Sequence, residues 1–181
     1  MNTATQNLEY DHKYILKLLD VMEKMVINCS NDLLEVKMVV DIIKQYVDGF
    51  HHAKEENLFF PLLVQKGFSN ENGPVSVMLH EHVEGRKFVK GISDGIAKYN
   101  KNGDSTLPDI YRNMKEYIDL LRAHIAKENN VLFKMADRLL TPAEQQSLLD
   151  QFTAVEKRDY SNGRIQQFII DIEGLEAMYL G

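Results

Sequence analysis

The sequence predicts an all-α protein, an up-down-up-down four-helix bundle followed by additional C-terminal helices. Three observations predict it. Apolar residues recur at steps of three and four through four long segments, the period of a helix with one buried face. Glycine and proline together number only 14 of 181 residues, a globular rather than a disordered composition. A ten-residue run, His51 to Phe60, returns in near copy as His124 to Phe133, 73 residues later.

The first helix is expected from about Thr5 to Asn28, with Leu8, Ile15, Leu19, Met22 and Val26 on one stripe and His12 filling its gap. Asp32, with Glu35 three residues on, is an N-cap signal for the second helix. Its stripe is Val36, Val40, Ile43, Val47, His51, Glu55, Leu58 and Leu62. Pro61 lies inside this pattern and predicts a kink or early stop, because it has no N–H to donate. Gly67 suits a C-terminal stop. The third helix starts near Pro74, a residue favoured at the first helical position. It carries Val75, Met78, His82, Gly85, Val89, Ile92, Ile96 and Tyr99 on one line. Residues 100 to 106 read as a loop. The fourth helix, from about Pro108 to Leu140, aligns Ile110, Met114, Tyr117, Leu121, His124, Glu128, Leu132, Met135 and Leu139.

Thr141-Pro142-Ala143-Glu144 predicts a capping box opening a fifth helix, with Leu148, Phe152 and Val155 on one face. Asn162-Gly163 breaks it. A last helical segment carries Ile165, Phe168, Ile169, Ile172, Leu175 and Met178. Residues 1–140 are therefore expected to form the bundle. Residues 141–181 form an extension that packs on it or makes a homodimer contact.

Chemistry is expected where His and Glu interrupt the apolar stripes. In both copies of the run a histidine precedes a glutamate by four residues, which puts the two on one helix face. A neutral imidazole and a carboxylate so placed can grip one metal ion, and a glutamate can bridge two. Two such helices show the inward-facing Glu/His pattern of di-iron bundles. Heights measured from the expected turns agree to about 5 Å at 1.5 Å per residue. His12, His51, Glu55, His82, His124 and Glu128 can therefore share one layer. Offsets of 70 residues from His12 to His82 and 73 from His51 to His124 describe an internal pseudo-twofold. Six buried ionisable groups without a metal would cost more than a small domain's stability. Two helix-borne carboxylates favour two ions. An imidazole and carboxylate set without thiolate suits iron or manganese, with zinc the remaining alternative.

His52 and Glu56, rotated by about 100° from His51 and Glu55, either support the ligands or are ordinary polar neighbours. His80 should face elsewhere, and Tyr117 should lie in the core. Gly85 either leaves room for a small ligand or allows close helix packing. Arg86 is placed to anchor a carboxylate, and Cys29 reads as a small apolar filler.

The net charge of −6, with no long basic run, argues against nucleic acid as a partner. A single cysteine can make no internal disulfide and points to a reducing compartment. There is no signal-like N-terminus and no apolar stretch long enough for a bilayer, so a cytoplasmic protein is expected. No nucleophile triad, phosphate loop or nucleotide motif is visible.

These residues carry a resemblance. The acid-His pair at 11–12, His51-His52-Ala53-Lys54-Glu55-Glu56 and His124-Ile125-Ala126-Lys127-Glu128 resemble the bacterial hemerythrin-like (HHE cation-binding) family. So do Gly73-Pro74, Met78-Leu79-His80-Glu81-His82 and Gly85-Arg86. The resemblance implies an oxo- or hydroxo-bridged di-iron centre, with carboxylates of the Glu55 and Glu128 type bridging. The chain departs from oxygen-carrying hemerythrins, which have a His-x-x-x-His pair on the third helix and five histidines. Here Met78 or Arg86 stands at the partner position of His82, and Asn129 stands where the carriers have an acid. Four converging histidines point away from reversible oxygen carriage. They point toward binding or reduction of dioxygen, peroxide or nitric oxide, or toward sensing of oxygen or iron, with the C-terminal helices reporting to a partner.

Overall fold

The computed structural model describes residues 3–181, and among them every regular element is helical. The helices are α1 (Ala4–Ile27), α2 (33–65), α3 (Pro74–Asn102), α4 (107–139), α5 (Pro142–Asp159) and α6 (Arg164–Leu180). The first four form the up-down-up-down bundle. In it α4 packs on α3 and α1, and α2 packs on α3. Helix starts follow the capping signals. The Asp32 carboxylate accepts from the backbone N–H groups of Leu34 and Glu35, and Thr141 and Glu144 close a reciprocal capping box. Gly67 ends the α2 region at φ 102°, a left-handed conformation that glycine adopts freely. The connection between α3 and α4 is shorter than expected. Helix α3 runs to Asn102, and a single 3-10 stretch, Gly103–Thr106, leads into α4. Cys29 is exposed in the α1–α2 turn rather than filling the core.

Helix α2 is π-helical over Ile43–His52, and two further π-helical turns change the phase of the buried stripe. They span Glu55–Phe59 in α2 and Glu128–Leu132 in α4. In each, the N–H of the phenylalanine that follows reaches back five residues: Phe60 to the Glu55 carbonyl, and Phe133 to that of Glu128. Such a turn inserts one extra residue, so the inward face advances by one position. The buried residues after Glu55 are accordingly Phe59, Phe60 and Leu63, not Leu58 and Leu62. After Glu128, Leu132, Phe133, Ala136 and Leu140 are buried, while Met135 and Leu139 are exposed. Pro61 causes no stop, and α2 continues through it to Gln65. Its missing N–H falls where the hydrogen-bond ladder resets after the π turn.

The polar layer divides the apolar interior into two cores. One contains Leu8, Phe59, Phe60, Met78, Phe133 and Leu140, and α5 adds Leu148 and Phe152 to it. The other contains Leu19, Met22, Val47, Ile92, Met114 and Leu121. Helix α6 lies along α1 and buries Phe168, Ile169, Ile172 and Leu175 in this second core. Met178, on the same expected stripe, is 65% exposed. Lys17 pairs with Glu176 at 2.5 Å, and the Tyr179 hydroxyl donates to Glu35, fastening the end of α6.

Ile172→Ala should lower the unfolding free energy by about 2–5 kcal/mol in a denaturant melt. Met178→Ala should change it by no more than about 0.5 kcal/mol. Equal effects would contradict this placement of α6.

Candidate metal centre

His12 from α1, His51 and Glu55 from α2, His82 from α3, and His124 and Glu128 from α4 meet in one layer, each at most 2% exposed. The Nε2 atoms of His12 and His51 face one another at 3.0 Å, and those of His82 and His124 at 3.2 Å. Glu55 lies between the pairs, with Oε1 3.6 Å from His51 Nε2 and Oε2 3.5 Å from His82 Nε2. Glu128 Oε2 is 3.3 Å from His12 Nε2 and 3.2 Å from His124 Nε2.

Each imidazole is tethered from behind by the preceding helix. His51 Nδ1 donates to Asp11 on α1 (3.1 Å), and His82 Nδ1 to Glu56 on α2 (2.7 Å). His124 Nδ1 donates to Glu81 on α3 (3.0 Å), and His12 Nδ1 to the Asn129 amide oxygen on α4 (2.7 Å). The four bonds form a closed ring around the bundle. Carboxylates accept at three of these bonds and the Asn129 amide oxygen at the fourth; with its proton held on Nδ1, a neutral imidazole turns its Nε2 lone pair to the interior. Asp11 thus orients His51, not its neighbour His12, and Glu81 orients His124, not His82.

Three tethers have a cation behind them. Lys54, 1% exposed, donates to Asp11 at 2.5 Å and to Asn7 at 2.9 Å. Lys127, its counterpart in the repeat, donates to Glu81. Arg86 binds both Glu56 and Asp48 at 2.7 Å. The shared lysine of the two runs therefore holds the acid that aims the shared histidine. The shared terminal phenylalanine has a role as well. Phe133 stacks on His12 with centroids 5.5 Å apart, and Phe60 stacks on His82 at 6.0 Å. Burial acts to raise the Asp11 carboxyl, but the Lys54 charge and the His51 contact outweigh it and hold the group at about 2. Burial pushes His51 down to about 4 despite Asp11.

The donor set fits a cation. All four carboxylate oxygens of Glu55 and Glu128 are buried without a hydrogen-bond partner among the described residues. Such groups are costly unless a positive charge faces them. Burial and the neighbouring Glu128 charge push the Glu55 carboxyl well upward, and although burial acts to lower His124, the Glu128 and Glu81 carboxylates outweigh it and hold His124 at about 9. Lone pairs from nitrogen and oxygen converge on two groups of residues that could each hold a metal ion. One group is His12, His51, Glu55 and Glu128, and the other is His52, Glu55, His82 and His124. His52, which is not among the four histidines expected, lies in the second of these groups. His80 is exposed, and Met78 belongs to the core of Leu8 and Phe60.

A cleft of about 380 Å³ reaches the second group, lined by His52, His82, Gly85, Arg86, Val89 and Tyr117. A Cβ at Gly85 would meet Tyr117 Cε2 at 3.5 Å, an ordinary contact. Close helix packing therefore does not require this glycine, which lines the cleft.

The chain is 37% identical over 93 residues to the iron-sulfur cluster repair protein YtfE of Escherichia coli O157:H7. The protein of the same name from Escherichia fergusonii is 36% identical over 93 residues. Each match covers 48% of this chain and 40% of the relative, so less than half of those curated proteins is represented. No solved structure matches significantly. The family model for the hemerythrin HHE cation binding domain matches residues 3–136, which include all four bundle helices almost to the end of α4. With that match spanning most of its length, the chain belongs to the hemerythrin HHE cation-binding domain family.

Proposed function

We propose that this chain is a non-haem di-iron protein that binds or reduces dioxygen, peroxide or nitric oxide inside its bundle. In this reading residues 1–140 are the metal-binding unit and residues 141–181 a helical extension. The observation that carries the proposal is the convergence of back-tethered imidazoles on two buried carboxylates that have no hydrogen-bond partner among the described residues.

The two oxygens of Glu55 face histidines of opposite pairs, and one oxygen of Glu128 lies between both pairs. Carboxylates so placed favour two ions about 3.5–4 Å apart. His12 and His51 would serve one ion, and His82 and His124 the other. Nitrogen and oxygen donors without thiolate favour iron, with manganese and zinc behind it. A ferrous pair would supply electrons to the oxidant. The protein's part is to keep each Nε2 aimed inward through the ring of tethers. Phe60 and Phe133 seal one side of the layer against water, and the Gly85 cleft leaves a route for a small molecule. Iron-sulfur cluster repair, which the relatives' names state, is one use such a site could serve.

A second reading is a sensor whose extension reports the state of the site. Its support is that Phe152 of α5 lies 5.2 Å from Lys54 Nζ, the ammonium behind Asp11 and His51. Iron loading should then slow amide hydrogen exchange in α5, and unchanged exchange there would count against it.

His51→Ala and Glu128→Ala should each lose iron after anaerobic loading, and full occupancy in both would sink the assignment. Asp11→Asn should keep the fold by circular dichroism yet weaken iron affinity by roughly 10–100-fold in chelator competition. Wild-type affinity would show that the tether does not hold the ligand. The ferrous protein should develop a new visible or near-ultraviolet band with at least one of dioxygen, peroxide or nitric oxide. A silent spectrum with all three would leave iron binding without the proposed chemistry.

A further inference from the structure

The cleft beside the metal layer is far larger than a diatomic molecule needs. Its volume is about 380 Å³, whereas about 10–15 Å³ of such volume admits a molecule the size of water. Sites for organic ligands begin at roughly 300 Å³. The cleft runs from His52 and His82 in the buried layer to Lys44, Lys90 and Asp94, which are exposed at its mouth.

Its walls are apolar between those ends, and its charges cancel. Ile43, Val89 and Leu121, all buried, line it together with the Tyr117 ring. Three basic and three acidic side chains line it as well, and they answer one another or a neighbour. Arg86 pairs with Asp48 at 2.7 Å, Lys90 with Asp94 at 2.5 Å, and Glu81 with Lys127. The Lys44 charge acts on Asp94 at the mouth. No net charge remains to select an ion, and an uncharged molecule with an apolar body is desolvated there at least cost.

One polar group in the wall is unclaimed. Tyr117 of α4 is 2% exposed. Its hydroxyl has no hydrogen-bond partner among the described residues, and unlike the Glu55 and Glu128 oxygens it is not sealed off by protein. It therefore opens on the cleft. Burial and the Asp48 charge push this phenol upward, so it keeps its proton and can donate.

We propose that the cleft binds an uncharged organic hydroperoxide. Its alkyl or aryl group lies against Ile43, Val89 and Leu121, one of its oxygens accepts from the Tyr117 hydroxyl, and its O–O end points to His82. The inference rests on the metal-site reading above for its chemistry, but not for the binding. Cleavage of the O–O bond consumes two electrons, one from each ferrous ion, and two protons from water, and it yields one alcohol and one water.

The test has two arms. In the first, the full chain loaded with zinc, which has no redox chemistry, is titrated with 2-phenyl-2-propanol, the alcohol that cumene hydroperoxide leaves on reduction. The NMR methyl signals of Ile43, Val89 and Leu121 should shift saturably, and those of Leu19 and Met22 should not. Tyr117→Phe should weaken binding by about three- to tenfold. Ser93→Trp should weaken it by about tenfold or more through steric exclusion; Ser93 lines the cleft away from the layer, and its hydroxyl bonds back to the Val89 carbonyl of its own helix. In the second arm, the ferrous-loaded chain should be oxidised by cumene hydroperoxide. Ser93→Trp should lower that rate, relative to the rate with hydrogen peroxide, by about tenfold or more. No saturable shift, or wild-type affinity in both variants, would overturn the inference and leave the di-iron reading intact. Oxidation by hydrogen peroxide but not by cumene hydroperoxide would do the same. Iron left ferrous by both would overturn the inference together with peroxide reduction at this centre.

Discussion

Two buried carboxylates set the terms for this structure. Glu55 and Glu128 are fully buried, and none of their four oxygens has a hydrogen-bond partner among the described residues. Ionised carboxylates in that state are not tolerated in a protein interior without a compensating cation. The imidazoles around them cannot all supply it. Their Nδ1 protons are directed outward to acceptors, so the Nε2 atoms add further lone pairs to the same volume. A divalent metal satisfies both sets at once. Without one, the cage must keep protons of its own, which is what the upward push on both Glu55 and His124 describes.

The rest of the bundle keeps that arrangement in place. Each helix carries a ligand and also the tether for the ligand of the next helix, so none of the four is positioned alone. The repeated run supplies most of the parts. Its histidine and glutamate face the cage, its lysine holds the tethering acid, and its phenylalanine stacks on a histidine from a neighbouring helix. The π turn begins at the glutamate itself in both copies. It brings the glutamate and the stacking phenylalanine inward together, on a segment where a regular α-helix would turn one of them aside. The polar layer separates two apolar cores, and α5 and α6 each complete one of them.

The sequence showed the bundle and the six inward residues because His and Glu sit at helical steps within unbroken apolar stripes. It did not show the π turns. Apolar residues occupy both phases after each glutamate (Leu58 and Phe59, Leu62 and Leu63, Met135 and Ala136), so either register reads as a buried face. The tethers were half visible. Asp11 and Glu81 adjoin histidines in the sequence, but their hydrogen-bond partners, His51 and His124, lie across helix interfaces that sequence adjacency does not reach. An α-helix rotates adjacent residues by about 100°, so His52 reads from the sequence as a support for the ligands or an ordinary polar neighbour rather than as a ligand. The π-helical stretch Ile43–His52 turns less per residue, and both His51 and His52 end up facing the interior.

The central claim is that this cage holds two iron ions bridged by Glu55 and Glu128. Crystals of anaerobically iron-loaded protein, measured on both sides of the iron absorption edge, test it most directly. The account predicts two anomalous peaks per chain, about 3.5–4 Å apart, between the two glutamates, with the Nε2 atoms of His12, His51, His82 and His124 in contact with them. A single peak, or iron bound anywhere other than this layer, would contradict it.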